Sequence, residues 1–487
     1  MKNFAMRASA LAVLALAQPV FASEVDDLRA EIAAQKAAEA AQKARLDALE
    51  QRLNAMTAQQ AAAPAPAKAA PIPVAMTTDQ NGVKLVDAPS GVSLYNNGTT
   101  SLHMYGLIEA TGSHANHQTT GGGSTTGFQV AWFSGNRLGF DADHALAIGD
   151  QIGLPGLKVI SKLETEFELP TGDMDTSDVF FNRDAWMGFY SDDLGKLTFG
   201  RQNTLTRDFT QTWGDAYGTA DVTLKEGGYS NVNNFKQFIF YSGSANGTRM
   251  NSSIAWKKKF GAHVVTGLAY AFGSQGAGGS GDVGNGGSTP GDFKKGSTQE
   301  ASIALNSIDI GGGLLSANLS YDRANVNDLI HQSELVGGDF RIGMFRVNAG
   351  YVHYTAEQGA NNSAGTRTDN AWTISASLLP TPENEFALGF NDSKGKHAGF
   401  NGGGNILNPF GNTAGVTAVA ANGSKKALFA SYMYHVDRQL DVYLAGDYFK
   451  VDGAWVLGDA QGNGNHFGAG QAYSNETEIA IGARYKF

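Results

Sequence analysis

Charged side chains recur two or four residues apart in one stretch of the chain, from residue 158 to residue 168. They would fall on one side of an extended strand, with Val159, Leu163 and Phe167 on the other. The charged set is Lys158, Lys162, Glu164, Glu166 and Glu168. Fixed charges on the wall of a water-filled passage filter ions and orient polar solutes. We therefore expect these side chains to line a lumen, the alternative being a solvated wall without a selective role.

Side chains that carry out nucleophilic or metal-assisted catalysis show no recognisable arrangement. The chain has no cysteine, and its ten histidines follow no motif. A barrel enzyme would need a serine, a histidine and an orienting polar group brought together, and no Gly-x-Ser-x-Gly elbow occurs at a strand-to-helix turn. His114 and His117 lie three residues apart but lack a third ligand in a recognisable frame. We expect no enzyme, no metal and no cofactor.

The N-terminal residues indicate export. A basic start with Lys2 and Arg7 precedes a short apolar run and small residues ending at Ala22, which predicts a signal peptide over residues 1–22. The chain has 36 basic and 46 acidic residues, and loss of the leader makes its charge more negative, which argues against a nucleic-acid partner. With 62 glycines, 12 prolines and a tenth of its residues aromatic, the chain is typical of an all-β protein.

Three segments follow the leader. Residues 23–57 are rich in Ala, Glu, Gln, Lys and Arg and carry apolar heptad positions at both ends, which predicts a short α-helical coiled coil with a polar middle; a lone solvated helix is the alternative. Residues 58–94 form an Ala/Pro-rich spacer and lead-in. Residues 95–487 alternate strand-like segments with turns that are short on one side and long, polar loops on the other.

Sixteen strand-like segments can be counted in this last region. They cover residues 101–112, 128–143, 156–169, 179–190, 195–203, 249–258, 262–273, 297–308, 314–326, 331–343, 345–357, 369–380, 384–395, 425–436, 440–451 and 475–487. The last one separates Ile479, Ile481 and Tyr485 from the polar face of Glu478 and Arg484. The predicted fold is an all-β membrane protein: a 16-stranded antiparallel transmembrane β-barrel with a short N-terminal coiled coil.

Several stretches resemble the general porins of Gram-negative bacteria. They are LHMYGLIEATG, NRLGFDAD, GLKVISKLETEF, FNRDAWMGFYSDDLGKLTFGRQ, RMNSSIAW and the terminal ARYKF. The resemblance implies an outer-membrane channel for passive diffusion of ions and small hydrophilic solutes, with three barrels per assembly and the third long loop folded inward. It also implies contact with outer-membrane lipids and lipopolysaccharide, and it makes Phe487 the signal read by the barrel-assembly machinery.

The same resemblance assigns the charges of a constriction. Arg137, Arg183 and Arg249 match a ladder of wall arginines, and a further rung of that ladder is Ala255 here. The alternation of side chains predicts that these arginines point inward while Leu138, Trp186 and Met250 point outward. Arg201 shares a face with Leu197 and Phe199, so it is assigned to a subunit contact. The facing carboxylates are expected on the third loop, at Asp215, Asp221 and Glu226.

Three other functions remain open. The N-terminal helix and spacer resemble those of porins that carry periplasmic coiled coils and transport sugars or dicarboxylates, so a substrate-specific porin is the main alternative. An adhesin with a coil and a barrel anchor would place few strands in each chain, whereas this chain has sixteen. A barrel enzyme lacks the motifs noted above. The sequence does not decide the sign of ion selectivity, because wall arginines favour anions and the acidic loop favours cations.

Overall fold

A computed structural model describes most of the strand-rich region. The described residues are scattered positions between 29 and 51, residue 85, and the ranges 91–117, 122–129, 131–176, 178–210, 249–272, 297–326, 329–357, 365–400, 419–453 and 474–487. The chain divides into two compact units, Met1–Ala69 and Ala70–Phe487.

The first unit is helical at the positions described between residues 29 and 51, and Ile32 on this helix is exposed. Its assembly into a coiled coil stays a prediction, as do the boundaries at residues 22, 57 and 94; the signal peptide lies outside the described residues. Within the described part of the chain, no helix is long and apolar enough to cross a membrane.

The second unit is built from antiparallel strands. In chain order they are β1 (Val92–Asn96), β2 (Thr100–Ala115), β3 (Thr125–Gln129), β4 (Asn136–Ala145), β5 (Lys158–Phe167), β6 (Asp184–Ser191), β7 (Gly195–Asn203), β8 (Arg249–Phe260), β9 (Val264–Ala271), β10 (Thr298–Ile310), β11 (Gly313–Val326), β12 (Leu329–Ile342), β13 (Phe345–Ala356), β14 (Arg367–Thr381), β15 (Asn384–Phe400), β16 (Val419–His435), β17 (Leu440–Gly453) and β18 (Asn475–Lys486). Two one-turn helices accompany them, α1 (Ile148–Gln151) and α2 (Leu205–Asp208).

The strands close into a ring. From β4 to β18 each strand pairs with the next along the chain, and β18 pairs with β2 from Lys486 opposite Leu107 to Glu478 opposite Ala115. β3 and β4 both pair with β2, so together they occupy one position in the ring, while β1 pairs with the first residues of β2. The ring therefore has sixteen positions, and the predicted 16-stranded antiparallel barrel is confirmed. Closure leaves no free sheet edge, as a membrane barrel requires.

Alternate side chains face opposite sides of the wall. On β18, Ile479 and Ile481 are exposed on the outside, while Glu478 and Arg484 are buried on the inside. The same separation holds on β13, where Phe345 and Val347 face outward and Arg346 faces inward. An apolar outer face and a polar inner face are what a barrel in a lipid bilayer needs, because lipid offers no hydrogen-bond partners.

Both ends of the barrel segment meet at the side of the short turns. The backbone N–H of Gly106 donates to the carbonyl of Phe487 at 2.9 Å, and the N–H of Phe487 donates back to the Gly106 carbonyl at 3.1 Å. The Phe487 ring packs over Gly106, where any Cβ would lie 2.3 Å from it. Tight turns such as Gly311–Gly312 and Gly343–Met344 lie on this side.

The second strand of the barrel departs from the prediction. Residues 128–143 were expected as one strand, but the structure has β3, then a break, then β4. Thr111 of β2 pairs with Gln129 and Leu107 pairs with Arg137, so three residues of β2 lie opposite seven residues of its neighbour. The extra residues fold into the lumen, and we call residues 131–135 the inward insertion.

Helix α2 also lies inside the barrel, at the start of the third loop. Leu205 and Phe209 are fully buried against inner-face residues of three strands, among them Met250, Val265 and Ala304. Leu85, from the segment before β1, packs against the same cluster. Gly267 leaves the space that Phe209 fills, because a Cβ there would lie 2.8 Å from the Phe209 ring.

Candidate functional site

A carboxylate pair on the inner face of β5 forms the centre of the candidate site. Glu164 and Glu166 both accept hydrogen bonds from the Arg183 guanidinium, which lies just before β6 and is almost fully buried. Glu164 also accepts a hydrogen bond from the hydroxyl of Tyr105 on β2 at 2.7 Å. One arginine therefore neutralises part of the charge of two neighbouring carboxylates.

Lys162 adds a second cation beside this pair. Its ammonium lies 3.6 Å from a Glu164 oxygen and 3.7 Å from an Asp184 oxygen, and it lies 5.3 Å from the centre of the Tyr105 ring. Nearer the short turns, Lys158 pairs with Asp143 of β4 at 2.8 Å. The four predicted lumen residues Lys158, Lys162, Glu164 and Glu166 thus lie on one face, which is the inner one.

The other two predicted arginines lie within electrostatic range of the same carboxylate. Arg137 on β4 pairs with Glu166 across the strand ladder, and its Nε donates to the Gly135 carbonyl at 3.1 Å. Arg249 begins β8 and is buried; its charge interacts with those of Arg183 and of Arg207 on helix α2. The structure therefore brings Arg137, Arg183 and Arg249 together around Glu164. Their role in a constriction stays a prediction.

Two predicted side-chain directions were wrong. Trp186 was expected to face outward, but it pairs with Lys162 across the ladder and lies 4.5 Å beneath the Lys196 ammonium, on the inner face. Arg183 reaches inward because it precedes β6, where the chain does not follow the strand alternation.

Met250 was also expected outside, and it is fully buried inside against helix α2. Ser252 has a positive φ of 47°, and the β7–β8 register shifts between Gly200 and Gln202. This bulge interrupts the alternation at the start of β8, so that Met250 is buried inside although its neighbour Arg249 is buried there too. Beyond it, Ile254 and Trp256 face outward as predicted, opposite the outward-facing Phe199 and Leu197.

The start of the third loop is fixed to the wall by a buried ion pair. Asp208 of helix α2 accepts hydrogen bonds from Lys257 of β8 and, at 2.8 Å, from Asn203. Burial alone would raise the pKa of Asp208, but the Lys257 ammonium and these hydrogen bonds lower it below its usual value. The predicted loop carboxylates Asp215, Asp221 and Glu226 lie outside the described residues.

Glu168 lies one residue beyond β5, on the side of the long loops. Burial and the nearby carboxylates of Asp175 and Glu166 raise the pKa of Glu168 to about 7. The ionisation of Glu168 therefore changes near neutral pH.

Arg201 and Phe487 were assigned roles that a single chain does not test. The Arg201 guanidinium donates to the Asn182 carbonyl at 2.7 Å and to the Asn251 side chain at 2.5 Å. Its contact with another subunit stays a prediction, and so does the reading of Phe487 as an assembly signal. The aromatic rings of Phe487 and Tyr485 stack at 5.9 Å.

Several residues of the cluster were not expected from the sequence. Tyr105, Asp184 and Arg207 all interact with it, and each comes from a different element. Tyr105 had a usable signal, since it alternates with outward Met104 and Gly106 in the first strand. Arg207 had none, because it lies in a loop whose path depends on the tertiary structure.

The histidines make local contacts. The ring of His114 lies 2.6 Å from the Thr126 hydroxyl, and the ring of His117 lies 2.6 Å from the Asn475 carbonyl. His435 lies 2.7 Å from Asp441 and 3.4 Å from Glu385. Among the described residues, no group of three or more His, Cys, Asp or Glu side chains is placed to hold a metal ion.

Comparison with known proteins agrees with this geometry. The sequence profile of the Gram-negative porins matches residues 55–454. The chain belongs to the Gram-negative porin family. No curated protein sequence matches it significantly. The fold is similar to that of an anion-selective porin from Comamonas acidovorans, at 16% identity and a TM-score of 0.55, over 80% of this chain and 100% of that one.

Two further solved structures share the fold. The OmpF protein of Salmonella typhi, in complex with daunomycin, has 15% identity and a TM-score of 0.51 over 81% of this chain and 100% of that one. The outer membrane channel DcaP of Acinetobacter baumannii has 13% identity and a TM-score of 0.50 over 82% and 100%. Family and barrel together make this porin an outer-membrane channel for small solutes in a Gram-negative bacterium.

Proposed function

We propose that this porin lets ions and small hydrophilic solutes diffuse passively and prefers small anionic or uncharged ones. The observation that carries the proposal is the balance of charge around Glu164, within the part of the chain that the structure describes. The cationic side chains there are Arg137, Lys162, Arg183, Arg207 and Arg249. The carboxylates are Glu164, Glu166 and Asp184. Cations therefore exceed carboxylates immediately around Glu164, while two further carboxylates border this cluster, Asp141 beside Lys162 and Glu168 beside Glu166.

The arrangement also fixes where the excess charge lies. Arg183 and Lys162 are engaged with the three carboxylates. Of the other three cations, Arg207 and Arg249 are buried, whereas Arg137 is only partly buried and its described hydrogen bond goes to the Gly135 carbonyl. A fixed positive charge beside a narrow aqueous passage raises the local concentration of anions and lowers that of cations. Arg137 is thus the residue we expect to contribute most to anion preference.

The test is the reversal potential of the refolded porin in a planar bilayer under a potassium chloride gradient. We expect an anion-selective potential that moves toward zero in Arg137→Gln. The matched control is Arg323→Gln, since Arg323 lies on the outer face of β11 and contacts Gln299 at 3.4 Å. A cation-selective potential in the unmodified porin would contradict the proposed preference, and an equal shift in both variants would remove Arg137 from it.

Three barrels are proposed per assembly, each with its own passage, because sixteen strands enclose an aqueous channel without help from neighbours. Arg201 is the proposed subunit contact, and outer-membrane lipids and lipopolysaccharide surround the remaining outer face. Residues 23–57 are proposed to tie the subunits together on the periplasmic side, and Phe487 to be recognised by the barrel-assembly machinery. Deletion of residues 24–75 should lower the melting temperature of the trimer, and an unchanged melting temperature would count heavily against the coil.

A substrate-specific channel is the second candidate. Several charged side chains on the inner wall are fully buried, including Arg367, Lys425 and Arg484. In a wide lumen filled with water, such side chains would be exposed to solvent. A narrow lumen of this kind favours selective passage. Flux of a sugar or a dicarboxylate that saturates with concentration would support this candidate, whereas flux proportional to concentration would support general diffusion.

A further inference from the structure

The inward insertion, residues 131–135, lies inside the barrel and not on its outer surface. Trp132 and Phe133 are almost fully buried against residues that face the lumen on four strands. These residues are Ala387 on β15, Met433 on β16, Tyr443 and Ala445 on β17 and Ala480 on β18. The Phe133 ring meets the Tyr443 ring edge-on at 4.8 Å. The insertion is therefore a packed part of the inner wall.

A single buried carboxylate holds the backbone of the insertion. Glu109 of β2 accepts hydrogen bonds from the N–H groups of Trp132, Phe133 and Ser134 at 2.6, 2.8 and 3.0 Å. It also accepts a hydrogen bond from the Tyr443 hydroxyl at 2.8 Å. Consecutive N–H groups that converge on one point form a strong site for an anion, here a side chain of the same chain. The carboxylate thereby replaces the strand partners that these N–H groups lack.

The insertion also contacts the charged cluster directly. The Gly135 carbonyl accepts the hydrogen bond from Arg137, and a Cβ at Gly135 would lie 1.5 Å from a Glu166 oxygen. The Glu166 carboxylate therefore packs against the Gly135 backbone. The position of the insertion fixes the orientation of Arg137 and limits the space available to Glu166.

The insertion faces helix α2 across the lumen. Helix α2 contacts β9, β10 and β11, whereas the insertion contacts β15 to β18. In a ring of sixteen positions, β10 and β17 are seven positions apart, which is close to half the circumference. The two inward elements thus narrow the lumen from opposite walls.

We propose that residues 131–135 are a second constriction element of this porin, which limits the size of passing solutes from the wall opposite helix α2 and positions Arg137 beside the passage. Glu109 is the positioning residue that holds it in place. This goes beyond the proposed anion preference, since it concerns which part of the chain sets the width of the channel.

The decisive variant removes residues 131–134. Three residues then remain between Gln129 and Arg137, the same number that β2 has between Thr111 and Leu107, so a regular ladder can form. We expect a larger single-channel conductance and, in liposome-swelling assays with uncharged mono-, di- and trisaccharides, faster entry of the larger sugars. Heat-dependent migration on gels verifies that the barrel is folded. A folded deletion variant with unchanged or smaller conductance and the same sugar limit overturns the proposal.

A second variant keeps the test decisive if the deletion does not fold. Glu109→Gln retains the shape of the side chain but replaces one of the two oxygens that accept the three N–H groups with an amide donor, so we expect higher conductance with more open-channel noise. The matched control is Glu334→Gln, an exposed glutamate on the outer face of β12, which should leave both unchanged. A folded Glu109→Gln porin that conducts like the control overturns the proposal.

Discussion

Helix α2 and the inward insertion both place backbone inside the barrel, but they satisfy its N–H groups in different ways. In α2, the Thr204 hydroxyl accepts the N–H of Arg207 at 3.2 Å, and Glu300 of β10 accepts the N–H of Leu205 at 2.6 Å. The insertion has no regular structure, and three of its N–H groups donate to one side chain, that of Glu109. The helical turn distributes its hydrogen bonds among several groups, whereas the irregular insertion depends largely on one side chain.

The apolar contacts of the two elements are more alike. Phe209 fills a site on the wall of β8 to β10, and Phe133 fills one on the wall of β15 to β18. Each aromatic ring is almost fully buried among alanines and a methionine of the inner face. The inner-face residues that each element covers are apolar, because the element shields them from the water in the lumen. The difference between the two elements therefore lies in their polar anchors.

The largest expected effect comes from removing these anchors. Glu109→Ala should lower the free energy of unfolding by about 4 kcal/mol, because three buried N–H groups lose their acceptor. Glu300→Ala removes the acceptor of one N–H group and should cost about 1 to 2 kcal/mol. Urea unfolding in lipid vesicles, followed by tryptophan fluorescence, measures both. Equal losses would show that the helix depends on its anchor as much as the insertion does.

A smaller effect is expected from filling the space beneath helix α2. A Cβ at Gly267 would lie 2.8 Å from the Phe209 ring and 3.1 Å from Leu205, so Gly267→Ala should displace the helix and cost about 2 kcal/mol. Gly112→Ala is the matched control, because nothing lies within 4 Å of a Cβ at that strand position. The unfolding free energies of the two variants and their conductances measure the difference. Equal stabilities would mean that α2 is not packed against Gly267.

The smallest expected effect concerns pH. Because the pKa of Glu168 is raised to about 7, its carboxylate is mostly neutral at about pH 6 and mostly ionised at about pH 8. Anion preference should therefore fall over this interval, and Glu168→Gln should remove that part of the change. Reversal potentials at the two pH values measure it. If the reversal potential of Glu168→Gln changes with pH as much as that of the unmodified porin, another group is responsible for the change.

The same shift predicts a change in stability. Folding raises the pKa of Glu168, so the folded protein retains a proton that the unfolded chain releases, and the free energy of unfolding falls as pH rises from about 5 to about 8. The free energies of unfolding of Glu168→Gln and of the unmodified porin, measured across this pH range, should differ most at its alkaline end. A stability that rises with pH only in the unmodified porin would contradict this sign.

Much of the barrel follows from local pattern. The period of two in side-chain polarity located sixteen strands and correctly separated Ile479 from Glu478 and Leu163 from Lys162, because lipid and water lie on opposite sides of one wall. The same pattern failed at Met250, where the bulge at Ser252 shifts the alternation. The pattern also failed to predict the insertion at residues 131–135. Alternation within one segment does not show how many residues of β2 lie opposite it.

The sequence by itself determined the fold class, the order and approximate ends of the strands, and the inner-face position of Lys158, Lys162, Glu164 and Glu166. It did so because each of these properties depends on neighbouring residues along one strand. Only the tertiary structure decided that Arg183 bridges Glu164 and Glu166, that Tyr105 joins them, and that Glu109 holds a second element inside the lumen. These contacts join residues far apart in the chain, and they depend on strand register and on the closure of the ring, which no local pattern specifies.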